Sequence, residues 1–158
     1  CIRDRSNCVL FGQNLFNQGG KFITICEGEL DAMSAYELMG SKWPSISLKN
    51  GAASAVKNCK DALEYLNKFE TIVLSFDNDK PGRVAAEKVA RLFEPNKCKI
   101  MNLELKDANE YLKTGQREKF TQAWWNAKTY TPAGIINLKD LRGSLFEEDY
   151  SELSLIHI

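Results

Sequence analysis

The chain has 158 residues, with 21 Lys and Arg against 21 Asp and Glu, one His, five Cys and 44% hydrophobic residues. That length suits one domain with a core of its own, and formal neutrality excludes a protein that holds nucleic acid by bulk positive charge alone. No apolar run approaches the roughly 20 residues that span a bilayer, and no charged start leads into an apolar signal segment, so neither a membrane nor an export role is expected. Residues 1–20 carry no complete element, although LFGQNLF reads as a short packing segment. FITIC (22–26), entered from Gly19-Gly20, is a strand, and Leu30, Met33, Ala35, Leu38 and Met39 then recur at helical spacing up to Gly40, a natural helix stop. PSISL (44–48) leads through KNGAAS into a helix of about a dozen residues with Ala55, Val56, Cys59, Leu63 and Leu66 on one face. TIVLSF (71–76) precedes DNDKPG and a helix from Pro81 to about Phe93. KCKIMNL (97–103) is a fourth strand, followed by ANEYLKTG and a helix over roughly 116–127, after which the pattern lapses from Pro132 onward.

Strand and helix thus alternate four times with short connections, which predicts a four-stranded parallel sheet flanked by helices, an α/β fold of Rossmann-like kind. The cysteines, at 1, 8, 26, 59 and 98, never form C-x-x-C, and the only His is at 157, so no Cys/His zinc pattern or disulfide framework exists. Cys26, within a strand, reads as a buried free thiol. Because the chain starts at Cys1, an upstream part is expected. The closing LSLIHI reads as an artificial end, and residues 153–158 carry no functional weight here.

Acids stand at three of the four strand exits. Glu27-Gly28-Glu29-Leu30-Asp31 follows the first strand, Asp77-Asn78-Asp79 the third, and Lys106-Asp107-Ala108-Asn109-Glu110 the fourth. Parallel strands share one exit edge, so these carboxylates converge there, and clustered carboxylates repel unless a hard divalent cation neutralises them. A magnesium site built from Asp77, Asp79 and Glu27 is the direct inference. Asp31 and Asp107 have a second reading as helix caps, and Asp77-x-Asp79 before Pro81-Gly82 has one as an acidic turn.

The loop Lys49-Asn50-Gly51-Ala52-Ala53-Ser54 precedes a helix and offers amides plus a lysine. It reads equally as a phosphate site or as an ordinary Asn-Gly turn with a Ser cap. No Walker A loop occurs, which excludes an ATP-driven motor within these residues. Lys80, Arg83, Lys88 and Lys106 lie near the acids in sequence, and solvated helix faces account for most such charges. Of the adjacent Trp124 and Trp125, one is expected to pack inward and the other to meet a neighbouring segment, with base stacking as the second reading.

EGELD, DNDKPG and KDANEYL together resemble the TOPRIM domain, the catalytic fold of primases, topoisomerases, some nucleases and recombination proteins, over residues 21 to about 131. KDANE, SLKNGA and LFGQNLFNQGGK are most similar to the primase half of the bifunctional DNA primase/helicases of short-tailed phages, and WWNAKTYTPAGIINLKDLR resembles that family's exit toward its helicase. The resemblance implies that residues 1–20 are the remnant of an upstream primase subdomain, 21–131 the catalytic domain, and 132–158 a linker toward a helicase domain. It implies Glu27 as general base, Asp77 and Asp79 as the metal-binding pair, and Asp107 as a further acid supporting the metal site. Lys49, Asn50, Gly51 and Lys106 become candidate phosphate or nucleotide contacts. The implied cofactor is Mg2+ or Mn2+, as two ions. The implied partners are a single-stranded DNA template, ribonucleoside triphosphates and the helicase domain, with no membrane, in the cytoplasm of an infected bacterial cell. The implied activity is nucleotidyl transfer that makes short RNA primers during phage DNA replication, weak or absent in the isolated piece. A metal-dependent TOPRIM nuclease, or a non-catalytic TOPRIM binding module, is the alternative.

Overall fold

A computed structural model of the chain describes residues 9–132. Four strands run parallel: β1 (Gly20–Cys26), β2 (Ser45–Ser47), β3 (Phe69–Ser75) and β4 (Cys98–Ile100). The helices are α1 (Glu29–Leu38), α2 (Ala55–Asp61), α3 (Leu63–Leu66), α4 (Lys80–Ala90), α5 (Ala108–Lys113) and α6 (Arg117–Trp125). A two-residue β5 (Lys128–Thr129) joins β4 antiparallel, so the sheet has five strands where the sequence pattern predicts four. A strand of two exposed residues is too short to leave an alternation in the sequence.

The strands lie in the order β2-β1-β3-β4-β5. From β1 the chain crosses through α1 to β2 on one side, then returns to place β3 on the other, so the order reverses between β1 and β3. In open α/β sheets that reversal is where a crevice forms beyond the strand ends. Cys26 is in register with both Ser47 and Ser75, so β2, β1 and β3 finish level at one edge.

Both faces of the sheet are covered, as parallel sheets require. Ile23, Ile25, Ile72 and Leu74 pack against Ala55, Cys59, Leu66, Ala86 and Val89 from α2, α3 and α4. Cys26 and Val73 face the other way, toward Ala35, Leu38, Tyr111, Phe120 and Trp124 from α1, α5 and α6. Thr24, buried in β1, has its hydroxyl satisfied by Trp124 Nε1 at 2.9 Å, so the polar atom costs little there. LFGQNLF also belongs to this body. Leu10 is buried in the first core, and Phe11 exchanges backbone hydrogen bonds with Ser47 on the free edge of β2.

Two further expectations are corrected. The helix of about a dozen residues is broken at Ala62 (φ −102°, ψ 13°), although the apolar face carries across the break. In α1 the inward residues are Ala32, Ser34, Ala35 and Leu38, whereas Leu30 (63% exposed) and Met33 (51%) point outward. The predicted stripe holds at its C-terminal end, where Ala35 and Leu38 are buried and Met39 packs on the core, and fails in the first turns, where the small Ala32 and Ser34 face inward in place of Leu30 and Met33. The linker expected over 132–158 lies, apart from Pro132, outside the described residues, as do Cys1, Cys8 and His157. No described helix is long and apolar enough to cross a membrane.

Candidate active site

Glu27 leaves β1 at the point of strand-order reversal. Its Oε1 accepts from Ala52 N at 3.1 Å, and its Oε2 is buried with no hydrogen-bond partner. The carboxylate reaches that amide because Gly51 (φ 65°) has no side chain: a Cβ there would stand 3.3 Å from Glu27 Oε1. The KNGAAS loop thus spends one of its amides on Glu27 itself. Ser54 Oγ donates to Gly51 O at 3.2 Å and closes the turn, while Lys49 and Asn50 stand exposed beside it.

Asp77 leaves β3 next to Glu27. Its carboxyl is pushed up to about 6, first by burial and then by the charges of Glu27, Asp31 and Asp107, with Lys106 acting in the opposite direction. Asp31 is also raised, by burial and by Asp107 and Glu27, against the backbone N–H groups of Asn109 and Gly28 that favour its charged form. Asn109 N donates to Asp31 Oδ1 at 3.2 Å across 78 positions of sequence, which ties α1 to α5. Four carboxylates, from three strand exits and helix α1, therefore act on one another around Asp77. Asp31, weighed in the sequence as a helix cap, belongs to this cluster. Its sequence signal was the i, i+4 spacing from Glu27 across Gly28, where a Cβ would stand 2.9 Å from Asp31 Oδ2.

Asp107 is a helix cap, as one of its two readings has it. Its Oδ1 caps α5 by accepting from Glu110 N at 2.8 Å, and its Oδ2 lies 4.0 Å from Lys106 Nζ. Glu110 Oε2 in turn accepts from Lys106 N at 3.0 Å, a reciprocal arrangement close to a capping box. Asp79 is exposed and caps α4 through Gly82 N at 2.7 Å. Gly82 is required for close approach, since a Cβ there would run into Asp77 O. Asn78, which the sequence reading passed over, joins the two exits: its N donates to Lys106 O at 2.8 Å and its Nδ2 to Leu103 O at 2.7 Å. Tyr111 supports the same loop, its hydroxyl accepting from Glu104 N at 2.7 Å and Leu105 N at 3.2 Å.

The donor set is all oxygen, one buried Glu27 oxygen lacks a partner, and the charges on Asp77 oppose one another. These features fit a hard divalent cation better than a soft one. As the side chains stand, no three His, Cys, Asp or Glu among the described residues are placed to hold one ion together. Buried Cys26, its thiol pushed up to about 12 by burial and next to Glu27 in sequence, is a core thiol rather than a ligand.

The Toprim-like family model matches residues 24–112, more than half of the chain and all three acid-bearing exits. The chain belongs to the Toprim-like family. Within it, the chain is 38% identical over 144 residues to the DNA helicase/primase of Enterobacteria phage T3, a match covering 91% of this chain and 25% of that protein. It is also similar to the crystal structure of the primase fragment of the bacteriophage T7 primase-helicase protein, with a TM-score of 0.70 and 39% identity over 75% of this chain and 49% of that one. A further likeness is to a structure of the T7 lagging-strand DNA polymerase interacting with primase domains of two gp4 subunits bound to an RNA/DNA hybrid and dTTP. There the TM-score is 0.73 at 40% identity, covering 78% of this chain and 63% of the matched one. The chain thus spans a quarter of the T3 protein and about half to two thirds of the matched T7 chains.

Proposed function

We propose that this Toprim-like chain is the catalytic part of a DNA primase that joins ribonucleotides into short RNA primers on single-stranded DNA, within a phage primase/helicase. The observation that carries the reading is the convergence of Glu27, Asp31, Asp77 and Asp107, which burial and mutual repulsion tune so that Asp77 titrates near 6. Its support is the likeness to the T3 helicase/primase and the T7 primase fragment.

Asp77, Asp79 and Asp107 would hold magnesium or manganese, with Asp31 beside them. Such ions, when bound, supply positive charge at the attacking hydroxyl and the leaving pyrophosphate. Glu27 Oε2, the oxygen without a partner, would accept the proton of the 3′-hydroxyl, while Ala52 N holds the other oxygen and fixes the carboxylate's direction. Lys106 would meet phosphate from the same edge where it now opposes Asp77, with Lys49, Asn50 and Gly51 as the candidate contacts on the β2 side. Asn78 and Tyr111 would keep Lys106 and Asp107 in place.

The test is primer synthesis by a primase/helicase carrying these residues. Glu27→Gln should lower the rate by about 100- to 10,000-fold, the range a general base contributes. Asp77→Asn should abolish primers with the circular dichroism unchanged, and the isolated 158-residue chain should make few or none. Near-native primer yield from either variant would overturn the assignment. Cleavage of DNA by the native protein without nucleotides, lost in Asp77→Asn, would assign a Toprim nuclease instead.

A further inference from the structure

We propose that the opposite edge of the sheet, where the parallel strands begin, is a contact surface for single-stranded nucleic acid, separate from the carboxylates. A lysine stands at the amino end of each parallel strand: Lys42 ahead of β2, Lys21 in β1, Lys68 ahead of β3 and Lys97 ahead of β4. The strand order brings them to neighbouring strand starts: Lys42 and Lys21 stand level, three residues before the Ser45–Thr24 pair, and Lys97 Nζ donates to Asn67 O, one residue before Lys68, at 3.2 Å. Within three residues of these four lysines the acids are Glu70 and Glu94, so the segments that carry the lysines are net positive.

At the β2–β1 end of this edge lies an aromatic cluster. Lys21 Nζ is 5.7 Å from the Phe22 ring centroid and Lys42 Nζ is 5.1 Å from that of Trp43. Trp43 stacks on Trp124 at 6.2 Å and 13°, and buried Trp124 is accounted for by the core and by its bond to Thr24. Trp125 is different. It meets Trp124 at 4.7 Å and 84°, yet half of it (51%) is open to solvent between the two lysine-bearing segments. An open indole beside cations offers a stacking surface for a base and counter-charges for the flanking phosphates. Stacking needs an unpaired base, which selects a single strand over a duplex. Lys21 and Glu27 are six residues apart on an extended strand, about 20 Å, so this surface needs neither divalent cation nor triphosphate and goes beyond the proposed catalysis.

The experiment is fluorescence anisotropy of a labelled oligothymidylate with the 158-residue chain in chelator, read together with tryptophan fluorescence. The native chain should bind and its tryptophan emission should be quenched. Lys21→Glu with Lys42→Glu should weaken binding at least tenfold and flatten its dependence on salt. Trp125→Ala should weaken it by about tenfold, remove the quenching and leave the salt dependence intact, with Trp125→Phe recovering part of the loss. All three residues are exposed, so these variants keep the core. Asp77→Asn should bind at least as well as the native chain. Binding that is undetectable at low salt, equal in native and variant chains, or lost in Asp77→Asn overturns the proposal. So does sedimentation showing a native dimer that Trp125→Ala splits, since the indole then serves self-association.

Discussion

Asp77 shows how a single side chain can report the state of the whole site. An aspartate in the unfolded chain titrates near its ordinary 3.8, while in the fold burial and the neighbouring carboxylates hold Asp77 up to about 6. Between those two values the folded state keeps a proton that the unfolded state has released. Stability from this group is therefore fully present below about 3.8 and lost as pH rises through 6. In chelator, native urea midpoints should fall across that window, and Asp77→Asn, which cannot ionise, should fall less. The variant should be the more stable of the two at pH 7 and no better below pH 4. Equal pH profiles would mean that the carboxylates do not press on one another. Asp77 and Glu27 were legible in the sequence because strand periodicity puts them at exits. Asp31 was not placed in the site: its spacing from Glu27 across Gly28 is local and readable, but the bond from Asn109 N that holds it there comes from 78 positions away and has no local pattern.

At the level of the element, α4 tests whether one residue can serve both fold and chemistry. Asp79 is its N-cap, bonded to Gly82 N at 2.7 Å, with Pro81 in the first turn. Asn caps a helix about as well as Asp, whereas Ala leaves the amide unpaired at a cost of about 1 kcal/mol. Asp79→Asn should therefore unfold in urea close to the native midpoint, and Asp79→Ala should lose about 1 kcal/mol. If Asp79 also holds the cation, manganese titrations should show weakened binding in both variants. Unchanged manganese affinity in Asp79→Asn would leave it a cap and nothing more. The start of α4 was readable from Pro81 and the end of α1 from Gly40, because both signals are local. The break at Ala62 carries no Gly or Pro. The outward turn of Leu30 and Met33 follows from how closely α1 lies on the sheet, which the chain's own periodicity does not record.

At the scale of the whole molecule, parallel strands give the sheet an electrical polarity. Each of the four strands begins near a lysine, and three of the four exits carry carboxylates; this follows from the strand–helix alternation visible in the sequence. What the alternation did not give was the distance between the exits. That depends on β1 and β3 becoming neighbours at the reversal of strand order, and on Asn78 tying the β3 exit to the β4 loop. In the folded chain Glu27, Asp31, Asp77 and Asp107 repel, and unfolding relieves them. A divalent cation held by these groups binds the folded state alone, so it must raise stability by mass action, by about 2.7 kcal/mol at a hundred times its dissociation constant. For a chain of this size that corresponds to a rise in melting temperature of about 5–10 °C. Magnesium should produce that rise, chelator should reverse it, and Asp77→Asn should lose most of it. Sodium chloride at matched ionic strength should give a smaller rise, because screening acts weakly on partly buried charges. If sodium chloride and magnesium raise the melting temperature equally, and Asp77→Asn responds like the native chain, the carboxylates are screened rather than bridged, and the metal-dependent reading of the site fails with them.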